Sequence, residues 1–351
     1  MFRSVVALLM LAPTPALACA GFFHDPLYEA ESSAQKAIFR PLEGLVQVDY
    51  AVDLRVDTPE FGWVIPIPGP FVSLEDGDSS EFSTLMAQTG PTYDIAEERG
   101  GCAMTSDNAL GGVKGGGDTG GRGVDEIYQG ETPTYSYTVL EATSSDALST
   151  WLEEHGWYLG DTGASIGEYV SEGGYQFVAI ALKMDVVEGT AVQAELPPVR
   201  LKYEGDKLIY PSRMGRYSPE TELSTLIWVV GDQRASIQGG WDQVELPLVW
   251  EGGETSGYLT EVAAAKIRDI GSEGGFALTW AGPYGSGWAT RFETVAPTGI
   301  HTVDVEFAVD GGTDAPLAFT ISNQEGCKAP AGAEALLLFP LVALLRRRKS
   351  A

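Results

Sequence analysis

Cysteine and histidine are scarce in this chain, with three of each among 351 residues. Three cysteines are too few for a disulfide scaffold. His24, His155 and His301 have no partner histidine at i+2 or i+4, and no Cys-x-x-Cys occurs, so no zinc site is expected. Basic residues are outnumbered, 22 against 49 acidic ones. Such a balance repels nucleic acid and anionic surfaces, so nucleic acid is not an expected partner. No apolar run reaches the ~20 residues that a helix needs to cross hydrocarbon, and no fixed-period repeat is visible. Hydrophobic residues still make up 44% of the chain, so a real core is expected and global disorder is not.

The two ends carry addresses. Arg3, the apolar stretch Val5–Ala12, the breakers Pro13 and Pro15, and Ala16-Leu17-Ala18 have the build of a secretory signal peptide over residues 1–18. Cleavage after Ala18 leaves Cys19 first, and Ala18-Cys19-Ala20 also permits cleavage after Ala20. A lipid on Cys19 stays open, although Ala16 stands where a lipoprotein signal wants leucine. At the other end, the apolar run 335–345 is short for a span, carries Pro340, and meets Arg346-Arg347-Arg348-Lys349 at once. Basic residues favour the cytoplasmic side, which places the preceding chain outside. Gly326-Cys327, a spacer, the apolar segment and the basic cluster resemble the three-part sorting tag called MYXO-CTERM, here residues 326–351. That resemblance implies a sorting protease as partner, loss of the tail, and surface retention through Cys327.

Removing Arg3, Arg346–Lys349 and Glu334 with these segments leaves 17 basic against 48 acidic groups. With Cys327 set aside in the tag, Cys19 and Cys102 remain as one candidate disulfide in an oxidising compartment. Nothing in their spacing demands the bond.

Between the ends, strand signals dominate. Val46, Val48, Tyr50, Val52, Leu54 and Val56 alternate with polar residues in a half-buried strand. Phe61, Trp63, Ile65 and Ile67 keep phase, but Pro66, Pro68 and Pro70 cannot donate to a ladder, so an edge or polyproline-like chain is expected there. Tyr175–Met184 is apolar on both faces, the mark of an interior strand. Further strands are expected at Thr134–Glu141, Val199–Tyr203, Leu208–Tyr210, Leu223–Val230, Leu246–Trp250, Phe276–Trp280, Trp288–Val295, Thr302–Val309 and Leu317–Ile321. Helices are expected at Ser80–Gln88, Ser145–His155 with Ser144 or Ser145 as cap, and Tyr258–Ile270. Residues 99–130 change character, and the glycine-rich run 111–123 cannot pack a core.

Four segments resemble the bacterial family known as domain of unknown function 2330. They are Cys19-Ala-Gly-Phe-Phe23, Phe61-Gly-Trp-Val-Ile-Pro-Ile-Pro68, Trp151-Leu-Glu-Glu-His-Gly-Trp157 and Leu208-Ile-Tyr-Pro-Ser-Arg-Met-Gly215. His24 stands where members often carry a second cysteine, which leaves Cys102 as the remaining candidate partner of Cys19. The family brings no assigned activity.

Chemical motifs are weak. Gly163-Ala-Ser165-Ile-Gly167 spells a nucleophile elbow, yet that chemistry needs a strand before the serine and a helix after it. The flanks read as loop or short helix, so Ser165 is not expected to be a nucleophile. The acidic run Glu75–Glu81 lacks calcium-loop spacing and reads as a solvated loop. Trp241, Trp250, Trp280 and Trp288 could stack on sugars but fit a β core better. No residue receives a catalytic, cofactor-binding or metal-binding role, and no cofactor is expected.

The body is therefore read as α+β and mostly β, with two packed β-rich lobes bearing a few short helices: residues 19–141 and 142–325. The expected role is that of an exported envelope protein, anchored at the membrane by its C-terminal segment, that binds or scaffolds without catalysis. The alternative is a secreted hydrolase with an unrecognised site.

Overall fold

Alternation of apolar and polar residues makes strands the predominant element among the described residues, and the fold is α+β and mostly β. A computed structural model describes residues 22–24, 30–56, 61–90, 92–94, 124–157, 162–183, 196–218, 220–246, 256–313, 316–318 and 320–322. Its first elements are β1 (Phe22–His24), β2 (Ala30–Leu42), β3 (Leu45–Val56), β4 (Phe61–Ile67), β5 (Phe71–Asp76), α1 (Ser79–Thr89) and β6 (Thr92–Asp94). Then come β7 (Val124–Glu131), β8 (Tyr135–Ala142), α2 (Ser145–Glu154), α3 (Thr162–Glu172), β9 (Gln176–Leu182), β10 (Val199–Glu204) and β11 (Leu208–Tyr210). The remainder is β12 (Glu222–Gly231), β13 (Ala235–Gly239), β14 (Asp242–Glu245), α4 (Ser256–Ser272), β15 (Gly275–Tyr284), β16 (Gly287–Pro297), β17 (Val305–Val309), β18 (Leu317–Ala318) and β19 (Thr320–Ser322).

A five-stranded antiparallel sheet runs β1-β4-β9-β8-β7. A nine-stranded sheet runs β14-β15-β16-β12-β2-β3-β10-β5, with β18 also on β15. Both take strands from either side of residue 142. The small sheet β11-β17-β13 and the parallel pair β19-β6 complete the β structure. The main core joins the inner faces of the sheets through Phe39, Val48, Ile65, Val178, Leu201 and Phe292, all buried. Each such side chain contributes about 1.5–3 kcal/mol when fully withdrawn from water. Helices α2 and α3 cover the outer face of the five-stranded sheet through Leu148, Trp151, Leu152, Ile166 and Tyr169. On the nine-stranded sheet, α1 covers Ile38 and Trp228 with Phe82 and Leu85, while α4 covers Ala277 with Ala263 and Ile267.

Strand β2 carries no clear alternation, because helix α1 buries Ile38 on one face while Ala37 and Phe39 enter the main core on the other. It turns into β3 over Glu43-Gly44, where Gly44 adopts φ +71°. The segment 61–67, expected to end at an edge, forms β4, which pairs β1 at Phe61–Trp63 and β9 at Gly62–Ile67. Pro66 thus sits where, among the described residues, only β9 borders the strand, which is what a missing N–H requires. Pro41 does the same in β2, beyond the last residue that β12 pairs. Two expectations need correction. Strand β7 occupies Val124–Glu131, mostly inside the stretch whose composition departed from strand character. The strand expected at Thr302–Val309 begins only at Val305, since His301 ends the 3-10 turn Thr298–Ile300 four residues earlier.

Candidate functional site

Strand β4 is the meeting point of three distant segments. Phe22 and Phe23 in β1 pair with Trp63 and Gly62. The Trp157 indole, at the end of the α2 turn, lies over Gly62, where an added Cβ would come within 3.1 Å of it. From the third direction Tyr210, Pro211 and Met214 face Trp63, Val64 and Ile65 across a cleft. A side chain at 62 would press on the indole, which would have to shift by a few tenths of an ångström.

Gln35, Lys36, Tyr50 and Ala51 of β2 and β3 form the third wall. The empty volume is about 350 Å³ with its open mouth, of which only 20 Å³ admits the centre of a water molecule. Tyr50 packs edge-on to Trp63, with ring centroids 5.6 Å apart, and lies 6.5 Å from the Tyr210 ring. Burial pushes both tyrosine hydroxyls well above their usual range, so both stay neutral donors. The Tyr210 hydroxyl donates to Gln35 Oε1, and the Gln35 amide nitrogen is buried without a hydrogen-bond partner. No histidine or carboxylate is among the lining residues described. The arrangement can hold an apolar group and supply a donor; it has no acid–base pair.

A buried ionic cluster stands directly behind the cleft. The 3-10 turn Ser212–Gly215 continues from Pro211 and presents Met214 to the cleft. Within it, Arg213 donates from Nε and Nη2 to Asp304 Oδ2 at 3.2 and 2.9 Å, and from its backbone N–H to Oδ1 at 3.1 Å. The Tyr169 hydroxyl donates to the same Oδ1 at 2.7 Å, and the guanidinium carbon lies 4.0 Å from the centre of the Tyr169 ring. Burial opposes the charge on Arg213, but the hydrogen bonds and charge of Asp304 outweigh it and hold the guanidinium firmly protonated. Glu172 adds a more exposed contact at 2.7 Å. This cluster ties α3, the turn and the entry to β17 into one unit.

A model of one protein family, described as "Uncharacterized protein conserved in bacteria (DUF2330)", matches residues 13–312. The chain belongs to that family. Comparison with curated proteins gave no match. The solved crystal structure of baculovirus P35 overlays 60% of this chain and 67% of its own, at 13% identity and a TM-score of 0.35. A likeness that distant carries no argument about fold or function.

In this DUF2330 chain Ser165 lies in α3, preceded by α2 rather than by a strand. It is fully buried, and its hydroxyl donates to the Arg213 carbonyl oxygen at 2.9 Å. The serine is thus a prop for the Arg213 turn. Ser165→Ala should lower stability by about 1 kcal/mol, the usual worth of one such bond, in urea unfolding. His155 ends α2 as expected, stacked at 3.9 Å on Trp151 with Nδ1 2.6 Å from the Trp151 carbonyl oxygen. His24 ends β1. His301 is buried, and neither ring nitrogen has a hydrogen-bond partner.

The acidic run is not a bare solvated loop, since each carboxylate has its own task. Glu75 pairs with Lys202, Asp76 accepts from Thr132 and Thr134, and Asp78 caps α1 through the Ser80 N–H. Hydrogen bonds from Ser80 hold the Asp78 carboxyl below its usual range. Glu81 joins Arg40 and Arg200, which also clamp the buried Asp49 at 2.5 Å each. Among the described residues no group of three or more histidines, cysteines or carboxylates could hold a metal ion. Trp241 and Trp288 are buried in the core and Trp280 packs against it, while Trp250 lies outside the described residues. Ala18, Cys19, Cys102, Cys327, the glycine-rich run 111–123 and the apolar segment 335–345 also lie outside them. No described helix is long and apolar enough to cross a membrane.

Sequence reasoning singled out the segments of Trp63 and Tyr210 only through a family resemblance, and it missed Gln35, Tyr50, Tyr169 and Asp304. No local pattern marks those four, because each is defined by a partner far along the chain.

Proposed function

We propose that this protein is exported, is held at the cell envelope by its C-terminal segment, and works there by binding rather than by catalysis. The observation that carries the reading is the cleft: three of the segments that mark the family gather around the fourth, strand β4, and the walls are mainly aromatic and apolar, with Lys36 the one charged residue among the lining residues described. Paired acids, bases or nucleophiles are what a hydrolase site requires, and the polar side chains described at this cleft are the Lys36 amine, the Gln35 amide and two tyrosine hydroxyls held above their normal titration range, with no carboxylate or histidine among them. The signal-like first eighteen residues and the basic-flanked tail support the address. On this reading the export machinery and a sorting protease acting near Cys327 are transient partners.

Deleting residues 335–351 should release the body into the medium, and the processed native chain should lack Arg346–Lys349. Mass spectrometry that recovers the C-terminal peptide through Ala351 from the envelope would refute processing. The purified body should show no turnover with ester, peptide or glycoside substrates. Hydrolysis abolished by Ser165→Ala in a folded variant would overturn the binding reading.

A further inference from the structure

Between β16 and β17 the chain crosses the surface, and one side chain turns inward. The turn Thr298–Ile300 buries no residue, and Thr302 and Val303 beyond it are exposed. His301 is the one buried residue of the loop 298–304, its ring 4.9 Å from the Trp241 indole and beside the backbone of Ala296 and Ser212. Neither ring nitrogen has a hydrogen-bond partner. Seating this imidazole also seats the cleft wall. The Val303 carbonyl oxygen accepts from the Ser212 hydroxyl at 2.6 Å and from the Trp241 indole N–H at 3.1 Å. Ser212 opens the turn whose Met214 lines the cleft, and Asp304, next along the loop, binds Arg213 of that turn.

We propose that His301 is an acid-released latch on the cleft: a proton taken up by its ring drives residues 299–303 out of their seat and frees the Ser212 end of the turn behind the wall. The inference takes the cleft to be the binding site proposed above. A protonated imidazole carries a charge and two N–H donors, and burying them without an acceptor is costly. The charged groups on the surrounding elements are engaged elsewhere. Arg213 and Asp304 pair with each other, Glu222 with Arg268 and Glu293 with Arg291, while Asp242 and Glu306 are exposed. Solvent is therefore the acceptor, and it lies one loop movement away. That movement gives up the two bonds at Val303 and the contact with Trp241. Thr298, whose N–H donates to the Thr221 carbonyl, and Asp304, which keeps its hold on Arg213, serve as the hinges. A surface loop with so few ties opens at far lower cost than the sheets beside it. The wall is thus firm at neutral pH and loosens in acid, where a ligand held by the cleft is set free.

Exchange of two indole N–H groups, read by NMR on the intact protein, tests the latch without any ligand. Trp241 donates to Val303 and reports the loop, while Trp228 donates to Thr89 under α1 and reports the remote sheet. The seated ring titrates at about 4 and a solvated one at 6.5, so loop opening should rise roughly 80-fold between pH 6.5 and 4.5. Protection factors, corrected for the intrinsic pH dependence of exchange, report that population. Trp241 should lose protection by this factor, and the Met214 amide, bonded to the Pro211 carbonyl, should lose it in step. Trp228 should stay far better protected throughout. The pH slope should vanish in His301→Gln and in His301→Phe, which keeps an apolar ring in the seat. A slope that survives in both variants would assign the effect to carboxylates and overturn the inference. Equal protection at Trp241 and Trp228 would mean global unfolding only, and loss at Trp241 without loss at Met214 would mean a loop uncoupled from the cleft; either rules the latch out. Because no ligand enters, a cleft that fails to bind leaves the latch measurable, and the two failures stay distinguishable.

Discussion

Asp304→Ala should remove about 3 kcal/mol of folding stability, the lower end of the range for taking one partner from a buried ion pair, because both partners here are only partly buried. Asp304 accepts four hydrogen bonds, three from Arg213 and one from Tyr169. Without it the Tyr169 hydroxyl, on a side chain fully withdrawn from solvent, loses its acceptor. The Arg213 guanidinium, 13% exposed, keeps only the half-exposed Glu172. Glu172 offsets part of the charge, which places the expectation toward the lower end of the range. Asp304→Asn keeps acceptor capacity without charge and should cost distinctly less. Adding Arg213→Met to Asp304→Ala should recover part of the loss, since the uncompensated buried charge disappears with the arginine. Urea unfolding of the three variants decides the matter. A loss under 1 kcal/mol for Asp304→Ala would show that the cluster is not what fixes the turn. Because that turn presents Tyr210, Pro211 and Met214 to the cleft, the same variant should loosen the cleft wall.

Stability should also fall by about 3 kcal/mol as pH drops from about 6.5 to about 4, through one histidine. Burial pushes His301 down to about 4 from its usual 6.5, and the nearby backbone of Ala296 and Ser212 only partly opposes the shift. That backbone lies outside normal hydrogen-bond geometry, since neither ring nitrogen has a partner. The ring instead packs at 4.9 Å against the Trp241 indole, in an apolar setting. A depressed folded value means that the unfolded chain binds more protons between pH 4 and 6.5, so stability rises with pH across that window. The contribution is complete above about 6.5 and gone below about 4. Other carboxylates also titrate in acid, so the discriminating quantity is the difference from His301→Gln, whose stability should lack this slope. Parallel slopes for the two proteins between pH 4.5 and 6.5 would sink the assignment.

Local sequence carried a good deal of the fold. The period-two pattern from Val46 onward became β3, within one residue at each end of the expected strand. Ser144 caps α2 by accepting from the Ala147 N–H at 3.1 Å, so that helix began where capping chemistry placed it, and α1 began within one residue of the expected Ser80, with Asp78 as a cap the sequence reading had not named. The doubly apolar β9 sits inside its sheet, as its composition required. Each of these features is settled within a dozen residues, by propensity, capping or alternation.

The features that failed or went unseen depend on distant partners. Strand β2 gave no alternation because two different layers bury its two faces. The proline-bearing β4 read as ending at an edge, but the sequence did not show which positions have neighbours: among the described residues β1 borders it at Phe61–Trp63 and β9 at Gly62–Ile67. The helix α3 hid behind a glycine-flanked serine, since burial of Ile166 and Tyr169 against the sheet offsets the low helix propensity of its glycines. The cleft could not be read at all: Gln35 and Tyr210 are 175 positions apart and meet through a single hydroxyl-to-amide bond.

By itself, then, the sequence determined the acidic balance, the signal-like and tag-like ends, the β-dominated composition and most helix starts, because charge, periodicity and capping act between near neighbours in the chain. Only the tertiary structure decided that three marked segments gather around the fourth, β4, that Arg213 is fixed by Asp304 and Tyr169, and that Ser165 is a buried prop. Those outcomes depend on which strand edges pair and which faces are covered, and pairing between remote strands is fixed by the packing of whole sheets rather than by any short pattern of residues.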